Sequence, residues 1–257
     1  MGANPKKSIP IEKYTPLFCG YVDSPYSLVY SNQLRLSKGK ETSAAAFFEP
    51  LLLYLVLFFP GLGGTNAVNE LIPFSSIREL NRIISYTLPG LALLWYLILK
   101  KNSLSLSKET LKPKLEDAYS FFWAFPGLIL IGLGISLLIA QISPFSAPPK
   151  VQAPENILGW MAMISSCIGT GYLEESFFRF YLLQKLGEWV SSKTPRIIFS
   201  VLLFAFCHVY EGPWGILNAA LAGLLLSILF ERYKSLHGIA MAHSFYNAFV
   251  YAMGSFI

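Results

Sequence analysis

Apolar runs of about twenty residues recur from residue 44 to the end of the chain, separated by short polar, basic or Pro-rich stretches. At 1.5 Å per residue, a helical run of that length spans the roughly 30 Å hydrocarbon core of a bilayer. The bulk composition agrees: 54% of the 257 residues are hydrophobic and 14% charged, with mean hydropathy +0.49. A soluble domain of this length is far less apolar. The sequence therefore predicts an all-α, polytopic transmembrane helical bundle of about seven helices, or eight if a half-inserted helix lies within residues 1–43.

Residues 1–43 read as a cytoplasmic or interfacial segment. Pro10, Pro16, Gly20 and Pro25 interrupt any long helix, and no apolar run follows Lys6-Lys7, so a cleavable signal peptide is not expected. Residues 44–156 hold three spans, at roughly 44–60, 83–99 and 118–142, with Gly127, Gly132 and Gly134 as close-packing points in the third. Residues 157–257 hold four more. The first, 157–190, is too long for the bilayer unless it tilts or projects. The others are expected near 196–211, 213–231 and 236–255. The net charge of +5 could suggest nucleic acid, but its distribution does not. Sixteen Lys and Arg fall in segments this map places inside, against Arg78, Arg82 and Lys150 in loops it places outside. That bias predicts a cytoplasmic N-terminus and no nucleic-acid partner. Three cysteines, Cys19, Cys167 and Cys207, include no CxxC pair, so they give neither a disulfide framework nor a zinc knuckle.

Inside the fourth run stand Glu174, Glu175 and Arg179. An ionised group at the bilayer centre costs roughly 2.5–3.5 kcal/mol even on the lenient insertion scale, so such groups point to a functional site with partners elsewhere in the membrane. Glu175 and Arg179 are four residues apart and can pair on one helix face, which makes burying both tolerable. Glu174 then points away from the pair, toward a cavity. Phe204/His208 and His243/Asn247 repeat the four-residue spacing on two other apolar segments, so Glu174, His208, His243 and Asn247 can converge. A carboxylate beside an imidazole can activate water as a general base. A second imidazole and a side-chain amide can donate to a developing oxyanion. The set suits amide hydrolysis without a covalent intermediate. No GxSxG and no HExxH is present.

Glu174-Glu175-Ser176-Phe177-Phe178-Arg179 resembles the EExxxR motif of the CPBP family, which covers type II CAAX prenyl endopeptidases and bacteriocin-processing or self-immunity proteins. Phe204 to His208 is similar to that family's FxxxH motif, and His243 to Asn247 to its HxxxN motif. The resemblance covers about residues 157–250. It implies a glutamic-type intramembrane endopeptidase acting on a membrane-associated or lipidated protein or peptide. In it Glu174 and His208 activate water, His243 and Asn247 form the oxyanion hole, and Glu175 and Arg179 support the site. It implies no cofactor and a multi-pass protein of a bacterial or archaeal plasma membrane. Residues 1–156 carry no recognised motif and could set the substrate. Access from the cytoplasmic side is expected, because His243 lies only about seven residues, or ~10 Å, from the basic turn Arg232-Tyr233-Lys234.

Other readings compete. Glu, two His and a water could bind zinc. A relative that no longer cleaves could keep the motifs in a binding or immunity role. A proton-coupled transporter would need mirrored halves, and the polar residues are confined to the second half. Each residue also has a bland role: a helix-end carboxylate for Glu174, a structural pair for Glu175–Arg179, and inter-helix hydrogen bonds for His208, His243 and Asn247. His237, Asn218 and Glu211 read as structural or loop residues. Oligomeric state is unreadable.

Overall fold

A computed structural model of the 257-residue chain describes residues 44–62, 71–100, 108–142 and 150–253. The expectations for residues 1–43 lie outside the described residues. The chain divides into two compact units, Met1–Phe47 and Phe48–Ile257, and apart from residues 44–47 at the start of the first helix everything below concerns the second.

The architecture is an all-α bundle of seven helical rods. The first is α1, Ala44–Leu62. The second is built from α2 (Ser76–Arg82), a π-helical stretch (Ile83–Thr87) and α3 (Leu88–Lys100). The third is α4, Leu115–Ile142. The fourth comprises α5 (Ile157–Glu175), a π-helical stretch (Ser176–Leu182) and α6 (Leu183–Gly187). Then follow α7 (Lys193–Phe206), α8 (Gly212–Tyr233) and α9 (Leu236–Met253). The described strand content is a two-residue parallel pair, Leu71–Ile72 with Lys150–Val151. Three segments are long and apolar enough to cross a membrane: Ser76–Leu99, Leu115–Ile142 and Val209–Tyr233. Their outward faces carry large apolar side chains such as Leu91, Trp95, Phe122, Trp123 and Leu130, as hydrocarbon contact requires.

Two boundaries differ from those the sequence suggests. The second rod begins at Ser76, not near residue 83. Ser75 caps it by accepting a hydrogen bond from the Arg78 N–H, so Arg78 and Arg82 are helical rather than loop residues. The fifth span, expected to reach residue 211, also stops early: α7 ends at Phe206, and His208 stands just before the short 3-10 turn Val209–Glu211 that leads to α8.

Small residues set how closely the rods approach. At Gly127 an added Cβ would lie 2.6 Å from Leu225 of α8, and at Gly132 it would lie 2.5 Å from the Tyr246 hydroxyl of α9. Gly134 faces open space, so it is not a packing point. At Gly171 a Cβ would come within 2.9 Å of the Ala240 carbonyl and press on Ser244, which lets α5 and α9 cross tightly one turn before Glu174. Ser120, Ser235 and Asp117 tie the start of α9 to the start of α4. His237 bridges the Tyr172 hydroxyl and the Leu111 carbonyl, both at 3.1 Å, a structural role as expected.

Candidate active site

Glu174 and Glu175 end α5, where the chain widens into the π-helical stretch Ser176–Leu182. A π stretch is rare and turns successive side chains away from α-helical positions, often beside functional groups. Glu175 and Arg179 are completely buried and pair at 3.1 Å (Arg179 Nε to Glu175 Oε2). Arg179 also donates from Nη2 to the Gly223 carbonyl at 3.3 Å and stacks over the Phe204 ring at 4.3 Å. Gly223 makes this possible, because a Cβ there would meet Phe204 at 2.9 Å and Arg179 at 3.2 Å. The small-residue pair Ala219/Gly223 thus serves a polar contact as well as helix packing.

The second oxygen of Glu175 faces α9. His243 Nδ1 lies 2.8 Å from Glu175 Oε1. The carboxylate accepts, so Nδ1 carries the proton and Nε2 points into the site. Nε2 lies 3.7 Å from Glu174 Oε2, too far for a direct hydrogen bond, and that oxygen has no hydrogen-bond partner among the described residues.

His208 Nδ1 lies 2.8 Å from the Phe204 carbonyl. A carbonyl only accepts, so Nδ1–H is fixed and Nε2 is left as the available base. Although α7 has ended, the four-residue contact with Phe204 survives. Phe204 packs against both imidazoles, with centroids 4.7 Å from His208 and 6.1 Å from His243. Tyr54, Phe58, Phe177 and Phe178 form an aromatic cluster that meets Phe204 through Phe178, and Phe58 also lines the cleft described below.

Glu174, Cys207 and His208 line one cleft of about 700 Å³ with Tyr86 and Tyr210. His243 stands just behind Glu174. Asn247 lies one turn further along α9, half-buried, with no hydrogen-bond partner among the described residues and no place in the cleft wall. The structure links Glu174, Glu175, Arg179 and His243 by ion pairs and contacts and places Glu174 and His208 in one cleft wall, with Asn247 one turn along α9 from His243. Among the described residues no group of three or more His, Cys, Asp or Glu gathers in a way that could hold a metal ion. Cys167 and Cys207 are buried free thiols. Tyr246 donates to Asn218, a packing role for that amide.

The cleft is formed by the end of α1 (Val56–Phe58), the start of the second rod (Ser75–Pro89) and the α7–α8 connection. These are the helix ends opposite the Arg232–Lys234 turn. The opening thus lies at the other end from the one suggested by the depth of His243. Sequence reading also missed the cleft's charged wall: Arg78 and Arg82 line it, and they flank the buried Glu79.

Comparison with known proteins gives one match. The family described as Type II CAAX prenyl endopeptidase Rce1-like matches residues 156–249, a little over a third of the chain and the part that carries all three motifs. No curated protein and no solved structure matches.

Proposed function

We propose, from the kinship of residues 156–249 with the type II CAAX prenyl endopeptidases, that this membrane protein is an intramembrane endopeptidase using Glu174-activated water. The observation that carries the reading is the Glu174 Oε2 atom. It is buried, has no hydrogen-bond partner among the described residues and lies 3.7 Å from His243 Nε2, in a residue that lines the cleft, so a substrate-borne water admitted between them would bridge both. Glu174, with His208 Nε2 across the cleft, takes a proton as the water oxygen attacks the peptide carbonyl carbon. His243 donates from Nε2 to the oxyanion, and the Asn247 amide joins it once substrate is seated. The proton passes to the leaving nitrogen, the C–N bond breaks, and a carboxylate and an amine result. Glu175 and Arg179 hold His243 and the π-helical turn in place.

The substrate class is a membrane-associated or lipidated protein or peptide. The N-terminus is cytoplasmic, and the membrane is a bacterial or archaeal plasma membrane. The reaction needs no metal. Purified protein in detergent is to be assayed on a prenylated fluorogenic peptide, with and without a zinc chelator. Cleavage that survives chelation and falls by about 10²–10⁴-fold in Glu174→Gln, the usual worth of a general base, supports the reading. Cleavage that Glu174→Gln retains in full removes it.

A further inference from the structure

Arg78, Glu79 and Arg82, in the first turns of the second rod, take no part in the hydrolysis described above and lie outside the matched family region. Glu79 is completely buried and ion-paired with Arg78 Nε at 3.5 Å and Arg82 Nη1 at 3.4 Å. It also accepts a 2.6 Å hydrogen bond from Ser166 of α5. Arginine stays protonated, so two guanidiniums on one carboxylate leave one positive charge in excess. Arg82 is further fixed by the Tyr251 hydroxyl of α9, and Arg78 by the Pro73 carbonyl at 3.0 Å. Arg78 Nη2 is shielded and has no hydrogen-bond partner among the described residues, so the cluster keeps a donor in reserve. Both arginines remain partly exposed, 31% and 24%. They line the cleft together with Asn81 and Ser85, which add an amide and a hydroxyl.

What surrounds the cations selects the anion. The membrane-crossing segment Ser76–Leu99 has 24 residues and rises about 36 Å, against a hydrocarbon core of ~30 Å, so its ends reach the headgroup layer. Ile77, beside Arg78 in the cleft wall, begins a stripe of exposed apolar side chains that continues down the span through Ile84, Leu88 and Leu91. A charged head site thus stands at the top of an apolar track. A free anion uses only the first of these. A phosphodiester carrying acyl chains uses both, with its oxygens on the forked guanidinium donors and its chains along the stripe. One negative charge on that phosphate matches the excess charge of the cluster. A zwitterionic headgroup would bring a second cation to a site that is already positive, and like charges repel.

We propose that Arg78 and Arg82, oriented by Glu79, bind the phosphate of an anionic glycerophospholipid whose acyl chains follow the stripe from Ile77 to Leu91. The site is separate from the hydrolytic one, and it stands whether or not the chain cleaves peptides.

The test uses the full-length protein in an uncharged detergent. Phosphatidylglycerol, phosphatidylcholine of the same acyl chains and inorganic phosphate are titrated in turn. Bound lipid is counted by native mass spectrometry, and the thermal unfolding midpoint is followed in parallel. Phosphatidylglycerol is expected to bind one per chain, at least about tenfold more tightly than phosphatidylcholine, as suits a charge-assisted contact. It should also raise the unfolding midpoint, because a ligand of the folded state stabilises it. Arg78→Gln should remove the preference for phosphatidylglycerol, and Arg78→Lys should restore part of it. Folding survives Arg78→Gln because Glu79 keeps Arg82 and Ser166 as partners, and an unchanged midpoint without lipid checks this. Lys234→Gln, at the other end of the bundle, should leave the preference intact. Equal binding of the two lipids overturns the proposal. So does a loss in Lys234→Gln as large as that in Arg78→Gln, which would make the preference a general effect of net charge. Protection by inorganic phosphate equal to that by phosphatidylglycerol, and lost in Arg78→Gln, assigns the cluster to free phosphate and overturns the lipid as its ligand.

Discussion

At the scale of the residue, the account turns on how two adjacent carboxylates acquire different surroundings. Glu175 is consumed by Arg179 and by His243 Nδ1, while Glu174, one residue earlier, keeps an unpartnered oxygen at the cleft. Removing Arg179 leaves a buried carboxylate without its cation, which costs about 3–5 kcal/mol. Arg179→Ala should therefore lower the thermal unfolding temperature in detergent sharply and abolish activity. Adding Glu175→Gln should return much of the stability but not the activity, because His243 still lacks its carboxylate. A double variant that regains both would show that the pair is only structural. The sequence made this part legible, since a four-residue spacing in an apolar run has few readings. It hid the Glu79 cluster. Arg78, Glu79 and Arg82 look like a solvated loop, and the partners that justify burying them, Ser166 and Tyr251, lie far away in the chain.

At the scale of the element, glycines decide whether the site assembles. Gly223 lets α8 present its carbonyl to Arg179 and leaves room for Phe204. Gly223→Ala should cost about 1–3 kcal/mol through overpacking and lower kcat, because both Phe204 and Arg179 must shift. Gly134→Ala, which meets nothing within 4 Å, should be neutral or stabilise by up to about 1 kcal/mol through helix propensity. Unfolding midpoints and turnover of the two variants check this opposite sign. The seven rods were readable from apolar runs, yet two boundaries were not. A single Ser75 cap starts the second rod seven residues early, and α7 stops before His208 although its apolar pattern continues. Both π-helical stretches, Ile83–Thr87 and Ser176–Leu182, border the site, and no periodicity argument anticipates them.

At the scale of the whole molecule, seven alternating rods place the cleft at one end of the bundle and the basic turn Arg232–Lys234 at the other. The positive-inside bias predicts that a membrane-impermeant thiol reagent applied outside cells labels Ile77→Cys and spares Lys234→Cys, in a background without native cysteines. The reverse pattern would invert the topology and put the cleft on the cytoplasmic face. The central claim is that this bundle cuts membrane-associated chains with Glu174. Its most direct test compares protein termini, by mass spectrometry of membranes, in host cells carrying wild type or Glu174→Gln at matched, folded abundance. The account predicts new termini in membrane-associated proteins with wild type alone. Identical termini in the two strains would contradict it.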